Sequence, residues 1–362
     1  METTRVAMIG LGDIAEKAYL PVLGATPGIE LLLCTRNGAT LDRLGEAYRV
    51  PARYTSVEQV IDAGVEAAFV HAATRAHVEI VESLLLAGVH VYVDKPIADN
   101  LADTEKLVRL AGERRRSLMV GFNRRYAPGY AGLRELPRDL VIMQKNRAGQ
   151  PDDPRRVIFD DFIHVVDTLR FLAPGEISEM SVDLRLRDGL LEHVVLHLSG
   201  RASGADGRAS GGGGRASGAD GRASGADGRV SGGGEQSSGG VGRAAGNAGG
   251  SSVAGEVSMF TAIGIMSRVS GANEETCEVI GGGGKRRVAN LADVVDHSGG
   301  ETLTRRGDWT PVARQRGIEQ LCQEFLASVR EGRVISAEDA LATHAICEDI
   351  VTQALNGKSA PW

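Results

Sequence analysis

The sequence predicts an α/β unit followed by an α+β unit: a doubly wound parallel sheet, then a mostly antiparallel, open-faced sheet with helices on one side. Three observations predict this. A short apolar strand, Val6–Ile9, runs straight into Gly10-Leu11-Gly12-Asp13-Ile14-Ala15, which opens a helix. Apolar strands and amphipathic helices then alternate as far as Gly121. From Leu140 onward strand-like runs follow one another with few helices between them.

The opening turn has the chemistry of a dinucleotide site. Gly10 permits a tight turn that a Cβ would obstruct, and Gly12 lets the backbone approach a pyrophosphate. Ala15 is small enough for the helix Glu16–Leu23 to pack on the strand. The helix N-terminus supplies free N–H groups for phosphates, with Asp13 and Ile14 completing the cofactor-binding stretch. An ordinary glycine-rich turn is the alternative, but the strand–turn–helix order favours a nicotinamide cofactor. An NAD site places an Asp or Glu about 20 residues past the glycines to take the ribose 2′-OH. Here the second strand ends Leu33-Cys34-Thr35-Arg36-Asn37, without an acid. Thr35 can donate a hydrogen bond to a 2′-phosphate and Arg36 can pair with its charge, so NADP is expected ahead of NAD.

The later elements follow from the same periodicities. Strand Ile29–Cys34 precedes helices at Leu41–Tyr48 and Val57–Asp62. Strand Ala67–Ala72, helix Ala76–Ala87, strand Val89–Val93, helix Leu101–Arg116 and strand Ser117–Val120 complete a Rossmann unit over residues 1–121 with right-handed crossovers. Residues 122–362 form a second, substrate and oligomerisation domain. Its strands are Leu140–Lys145, Met180–Arg187, Glu192–Leu198, Glu256–Ile265, Cys277–Ile280 and Arg286–Asn290, and its helices are Asp161–Phe171, Gly317–Arg330 and Glu338–Leu355. The open face of that sheet is expected to cover the cofactor cleft.

Residues 200–255 interrupt a hairpin between Glu192–Leu198 and Glu256–Ile265. Gly-Arg-Ala-Ser-Gly-Ala-Asp begins at Gly200 and recurs with variations at Gly207, Gly214, Gly221 and Gly228. No position of the repeat holds a large apolar residue and Pro is absent, which excludes a coiled coil and collagen. Such a chain cannot bury enough apolar surface to offset its ordering entropy, so a disordered insertion is expected.

At 362 residues the chain suits two domains, and its 42% hydrophobic content is that of a soluble globular protein. A net charge of −6 argues against binding nucleic acid through its phosphates. Apolar runs such as Val78 to Val93 are broken by Glu and Gly, so no membrane span is expected, and no basic leader precedes the first strand. Cys34, Cys277, Cys322 and Cys347 are far apart and form no Cys-x-x-Cys, which makes a metal site improbable and points to a reducing, cytoplasmic setting.

Two further stretches carry chemistry. Val93-Asp94-Lys95-Pro96 ends a strand at the carboxyl edge of the first sheet, where Lys95 can reach a substrate oxygen; a plain surface lysine is the alternative. In Phe159-Asp160-Asp161-Phe162-Ile163-His164-Val165-Val166-Asp167, a regular helix puts Phe162, Val165, Val166 and Leu169 on one face. Asp160, His164 and Asp167 fall on the other within roughly 60°. A carboxylate four residues before a His can orient the imidazole for proton transfer. A capping Asp and an interface His would produce the same pattern.

On these residues the chain resembles the glucose–fructose oxidoreductase and inositol dehydrogenase family (Gfo/Idh/MocA), nearest its MviM-like branch, over nearly all its length outside 200–255. Gly10, Gly12 and Ala15 match the family's glycine motif, and Asp94-Lys95-Pro96 its Glu-Lys-Pro with a shorter acid. Asp160 and His164 match its Asp-x-x-x-His. His77 matches the His of a strand–loop element, with Ala73 where Pro is usual, and Thr35 stands where the family often has Asp. Val120 to Pro128 resembles its inter-domain connection. The resemblance implies a dehydrogenase or reductase acting on a sugar, polyol or similar compound. Lys95 would polarise the substrate oxygen and His164 would act as general acid/base oriented by Asp160, with no metal required. It further implies His77 and Pro96 at the cofactor, Asn123, Arg125 and Asp167 around the substrate, and a homodimer or homotetramer. A dinucleotide-binding regulator without turnover is the alternative, and a scaffold centred on the repeat a more distant one.

Overall fold

The computed structural model describes residues 3–203 and 258–357. Its first sheet contains β1 (Thr4–Ile9), β2 (Ile29–Cys34), β3 (Arg53–Tyr54), β4 (Ala67–Val70), β5 (His90–Val93) and β6 (Leu118–Val120). These run parallel in the order β3-β2-β1-β4-β5-β6. The order reverses between β1 and β4, so their carboxyl ends open the crevice in which such sheets bind ligands. The connecting helices are α1 (Leu20–Gly24), α2 (Gly38–Ala47), α3 (Val57–Asp62), α4 (His77–Leu86) and α5 (Leu101–Arg114). A π-helical turn, Ala15–Tyr19, leads into α1. Pro21 has no amide hydrogen for the carbonyl of Lys17, and the wide turn just before it accommodates that gap. The short edge strand β3 was not among the expected elements, because two residues leave no periodicity to read.

The chain then crosses α6 (Pro128–Ala131) into an eight-stranded sheet. This holds β7 (Leu140–Asn146), β8 (Gly175–Arg187), β9 (Leu190–Ala202), β10 (Met259–Ser267), β11 (Glu274–Gly281), β12 (Gly284–Ala289), β13 (Asp293–Asp296) and β14 (Thr302–Thr304), in the order β14-β13-β12-β11-β7-β10-β9-β8. All neighbours are antiparallel except β7 and β10. Between β7 and β8 lie α7 (Pro154–Val157), a π-helical turn at Ile158–Phe162 and α8 (Ile163–Leu172). Helix α8 lies close on the sheet: a Cβ on Gly264 would stand 2.7 Å from Val165 Cγ1. Val141, Met143, Cys277, Ala262 and Met266 occupy this helix-covered face and are buried.

The hairpin expected around the repeat is present, with β9 and β10 paired from Arg201↔Met259 to His193↔Ser267. The start of the insertion needs correction. Gly200, Arg201 and Ala202 are part of β9, because their backbones still find partners there. The remainder of the segment read as disordered, from residue 204, lies outside the described residues.

Three helices close the chain, α9 (Val312–Gln315), α10 (Ile318–Arg330) and α11 (Glu338–Leu355). The sequence assigns α10 to the second sheet, but it returns to the first. Ile318, Leu321, Phe325 and Leu326 share a core with Val6, Met8, Phe69 and Tyr92, and the rings of Phe325 and Phe69 meet edge-on at 5.1 Å. All four cysteines are buried and free. Among the described residues no helix is long and apolar enough to cross a membrane.

Candidate active site

A cleft of about 530 Å³ opens where β1, β2 and β4 end. Gly10 forms its floor at φ +87°, where an added Cβ would stand 2.5 Å from Ala72 N, so only glycine fits. Gly12 has no protein atom within 4 Å of where its Cβ would be, which leaves that space open for a ligand backbone to approach. Ala15 is fully buried, Ile14 is about half exposed beside the turn, and Asp13 pairs with Lys17 at the surface. Across the cleft, Thr35 Oγ1 accepts a bond from Asn37 N, and Asn37 caps α2 by accepting from Thr40 N at 3.1 Å. Arg36 and Arg75 line the same cleft, both exposed, and neither has a hydrogen-bond or ion-pair partner among the described residues.

His77, read as a cofactor ligand, has both ring nitrogens engaged within the protein. It is buried, and its two ring nitrogens lie 2.8 Å from Pro96 O and 2.9 Å from Ala72 O. It ties the loop after β4 to the loop after β5, because α4 starts at this residue and turns it inward. His71, which no motif singled out, is buried between Tyr19, Phe69 and Tyr92. Its nearest charged neighbour is Asp94 at 3.9 Å, too far for a hydrogen bond.

Lys95 leaves the end of β5 and donates from Nζ to the backbone carbonyl of Asp160 at 2.5 Å. That contact joins the first sheet to the segment bearing His164. The carboxylate of Asp160 does not orient His164. It is half exposed and lies 3.8 Å from Arg156. The π turn at Ile158–Phe162 inserts an extra residue, so the phase assumed for a regular helix slips by about 100°. Asp161 is carried inward in its place. The imidazole of His164 is half-buried and has no hydrogen-bond partner among the described residues. Burial, followed by the positive charges of Arg124, Lys145, Lys95 and Arg147, holds its pKa well below the ordinary imidazole value. It is neutral at physiological pH and can accept a proton.

Those cations form a cluster that the motifs did not reveal. Lys145 and Glu275 face each other across β7 and β11 on the helix-covered side of the sheet. Glu275 accepts from Arg124 Nε at 2.8 Å, Arg124 Nη2 at 2.6 Å and Tyr130 Oη at 3.0 Å, with Lys145 Nζ at 3.5 Å. Asp161 accepts from Arg147 Nε at 2.7 Å and Nη2 at 2.9 Å, from Arg268 Nη1 at 2.8 Å, and pairs with Lys145 Nζ at 2.9 Å. Burial opposes the charge on Glu275, but Arg124, Lys145 and Tyr130 bring its pKa down to about 2. Lys145 is lowered to about 8 by burial and by Arg124, against Glu275 and Asp161. The alternation Val141, Met143, Lys145 was the available signal, since it sets a lysine on the inward parity of a strand. The expectation that the open sheet face covers the cleft is therefore corrected: the charged residues around His164 lie on the helix-covered face, at the end of β7.

Three residues read as substrate ligands are engaged elsewhere. Asp167 is buried and accepts from Arg125 Nη2 at 2.5 Å and Thr343 Oγ1 at 3.3 Å. Arg125 also pairs with Asp339 at 2.6 Å. Asn123 donates to Arg316 O at 2.8 Å. Arg124 and Arg125 sit in a 3₁₀ turn, where neighbours point about 120° apart, so one enters the cluster around His164 and the other leaves it.

Residues 4–122 match the model of the Gfo/Idh/MocA family, described as an oxidoreductase family with an NAD-binding Rossmann fold. Over 186 residues the chain is 45% identical to YceM of Salmonella typhimurium. Over 190 residues it is 33% identical to the myo-inositol dehydrogenase Hyg17 of Streptomyces leeuwenhoekii. Each alignment takes in 49% of this chain and spans 58% of the relative's length. A Gfo/Idh/MocA family oxidoreductase from Vibrio cholerae shares the fold over 99% of this chain and 100% of its own, at a TM-score of 0.77 and 27% identity. The chain spans little more than half the length of the Salmonella typhimurium and Streptomyces leeuwenhoekii relatives, and what it shares with them is an NAD-binding Rossmann domain of the kind found in oxidoreductases. More narrowly, residues 4–122 match the Gfo/Idh/MocA model, and the whole chain is similar in fold to an oxidoreductase of that family.

Proposed function

We propose that this protein transfers hydride between a nicotinamide dinucleotide and a hydroxyl-bearing carbon of a sugar, polyol or related carbonyl compound. The observation that carries the reading is the meeting of Lys95, from the carboxyl end of β5, with the Asp160 carbonyl one helical turn from His164. The residues of the cleft fit the cofactor: Gly10 holds a conformation that only glycine takes easily, and a side chain at Gly12 would fill the approach. The bound nicotinamide would supply or accept the hydride. Gly10, Gly12 and the amides of the following turn would hold its phosphates.

His164, kept neutral by its surroundings, takes the proton from the substrate hydroxyl in the oxidation direction and returns it in reduction. Lys95 donates to the same oxygen and stabilises the alkoxide charge as it develops. We infer that NADP is bound ahead of NAD, since Thr35 stands where an acid would repel a 2′-phosphate and Arg36 and Arg75 have no other partner among the described residues. The name of the Streptomyces leeuwenhoekii relative supports a cyclic polyol or sugar as substrate.

The test is an initial-rate panel of sugars, inositols and sugar acids with NAD and with NADP, following nicotinamide absorbance. Dinucleotide binding with hydride transfer to at least one substrate is expected. Tight binding with no transfer across the panel would favour the regulatory alternative.

A further inference from the structure

The charge cluster around His164 is unevenly matched. Lys95, Arg124, Lys145, Arg147 and Arg268 face two carboxylates, Asp161 and Glu275. Both carboxylates are saturated: Asp161 takes four contacts, from Arg147 twice, Arg268 and Lys145. Glu275 likewise takes four, from Arg124 twice, Tyr130 and Lys145. A carboxylate has about four lone-pair sites, so neither has capacity for another donor. Donors remain. Arg147 Nη1, Arg268 Nη2 and the third hydrogen of Lys145 meet no acceptor among the described residues, and Lys95 meets only a neutral carbonyl. Three further charged groups stand at the rim, Arg156, Asp152 and Asp160, with Arg156 paired to both acids. Including them, together with Asp94 beside Lys95, still leaves one positive charge in excess.

Buried or half-buried cations in excess of their counter-ions are costly to keep unless an anion completes them. The dinucleotide phosphates do not fill that role, because they belong to the glycine turn after β1. The cluster stands instead at the end of the second sheet, on β7, β10 and β11. A cavity of about 540 Å³ opens beside it, lined by Arg147, Arg268, Gln150 and Asp161 among others.

We propose that the substrate of this site is a hydroxy compound carrying an acidic oxygen group, a carboxylate or a phosphate ester, which is seated by Arg147 and Arg268 while its reacting carbon faces Lys95 and His164. This rests on the reading of the site as a hydride-transfer centre and adds the charge class of its substrate.

The test measures binding rather than turnover. The full chain with reduced dinucleotide is titrated calorimetrically with matched pairs: glucose against glucuronate, and glucose against glucose 6-phosphate. At least one acid should bind about tenfold or more tightly than glucose, the scale of one added charge-assisted hydrogen bond. Which acid responds distinguishes a carboxylate from a phosphate site. Arg147→Gln, at a half-exposed position, should remove most of the preference, and added salt should weaken it in the wild type. Arg268→Gln should act in the same direction where it folds. Equal affinities for glucose and both acids, or binding of neither acid, would overturn the proposal. Hydride transfer to neutral polyols would survive that outcome, whereas failure of every compound to be turned over would strike the function and leave the binding result to stand alone.

Discussion

Replacing Glu275 with Gln tests the cluster most directly. The carboxylate is almost wholly buried and accepts two bonds from Arg124, one from Tyr130 and a longer contact from Lys145. Gln keeps one carbonyl oxygen for Arg124 Nε and Tyr130. Its amide hydrogens then face Arg124 Nη2 and Lys145 Nζ, donor against donor, and the negative charge between two cations is lost. Two charges about 4 Å apart at an effective dielectric of about 20 interact by roughly 4 kcal/mol. Breaking one side of a buried ion pair costs about 3–5 kcal/mol by mutational experience. The expected loss is therefore about 3–5 kcal/mol, read from urea unfolding as a lower midpoint with an unchanged slope.

The pH dependence supplies a second reading of the same change. The pKa of Glu275 drops from 4.5 to about 2 on folding. A carboxylate with a lowered folded pKa contributes stability that is present above its unfolded value and lost as pH falls through its folded value. The wild type should thus lose stability between about pH 4.5 and 2, and Glu275→Gln should lose less over that window, leaving the part due to Asp161. A loss below about 1 kcal/mol at neutral pH, or parallel acid profiles for the two proteins, would refute the reasoning.

Four other outcomes follow. Lys95→Ala and His164→Ala should each cut turnover about 10²–10⁴-fold while dinucleotide affinity changes little, whereas Asp160→Asn should stay within a few-fold because only its backbone carbonyl meets Lys95; near-wild-type turnover in His164→Ala would remove it from the mechanism. Since burial and then the surrounding cations lower the pKa of His164, oxidation rates should show no bend near the usual imidazole value and should fall only at lower pH. NADPH should bind more tightly than NADH, and Arg36→Ala should erase most of the gap; tighter NADH binding would reverse the assignment. Joining Ser203 to Ser258 through a short Gly-containing turn should preserve folding and dinucleotide binding, because Ala202 N already donates to Ser258 O at 2.8 Å; an insoluble product would show the segment to be integral.

The alternating strands and helices of the first sheet, its glycine turn and the position of Lys95 at a strand end were legible in the sequence because each is local. A strand of about five residues, a turn needing positive φ and a helix of fixed period leave their marks within a dozen residues. Helices α3 and α11 and strand β2 were placed to the residue on the same grounds. The surroundings of His164 were not legible, because they are assembled from four distant stretches. Strand pairing sets Glu275 opposite Lys145, 130 positions away in sequence, and a one-residue shift would have turned both side chains to the other face. Only the π turn decides that Asp161 faces inward and Asp160 does not, and only the 3₁₀ turn decides between Arg124 and Arg125. In both places adjacent residues of the same type compete for one position. Composition and regular periodicity cannot separate them, and the backbone's local departure from the α-helix does.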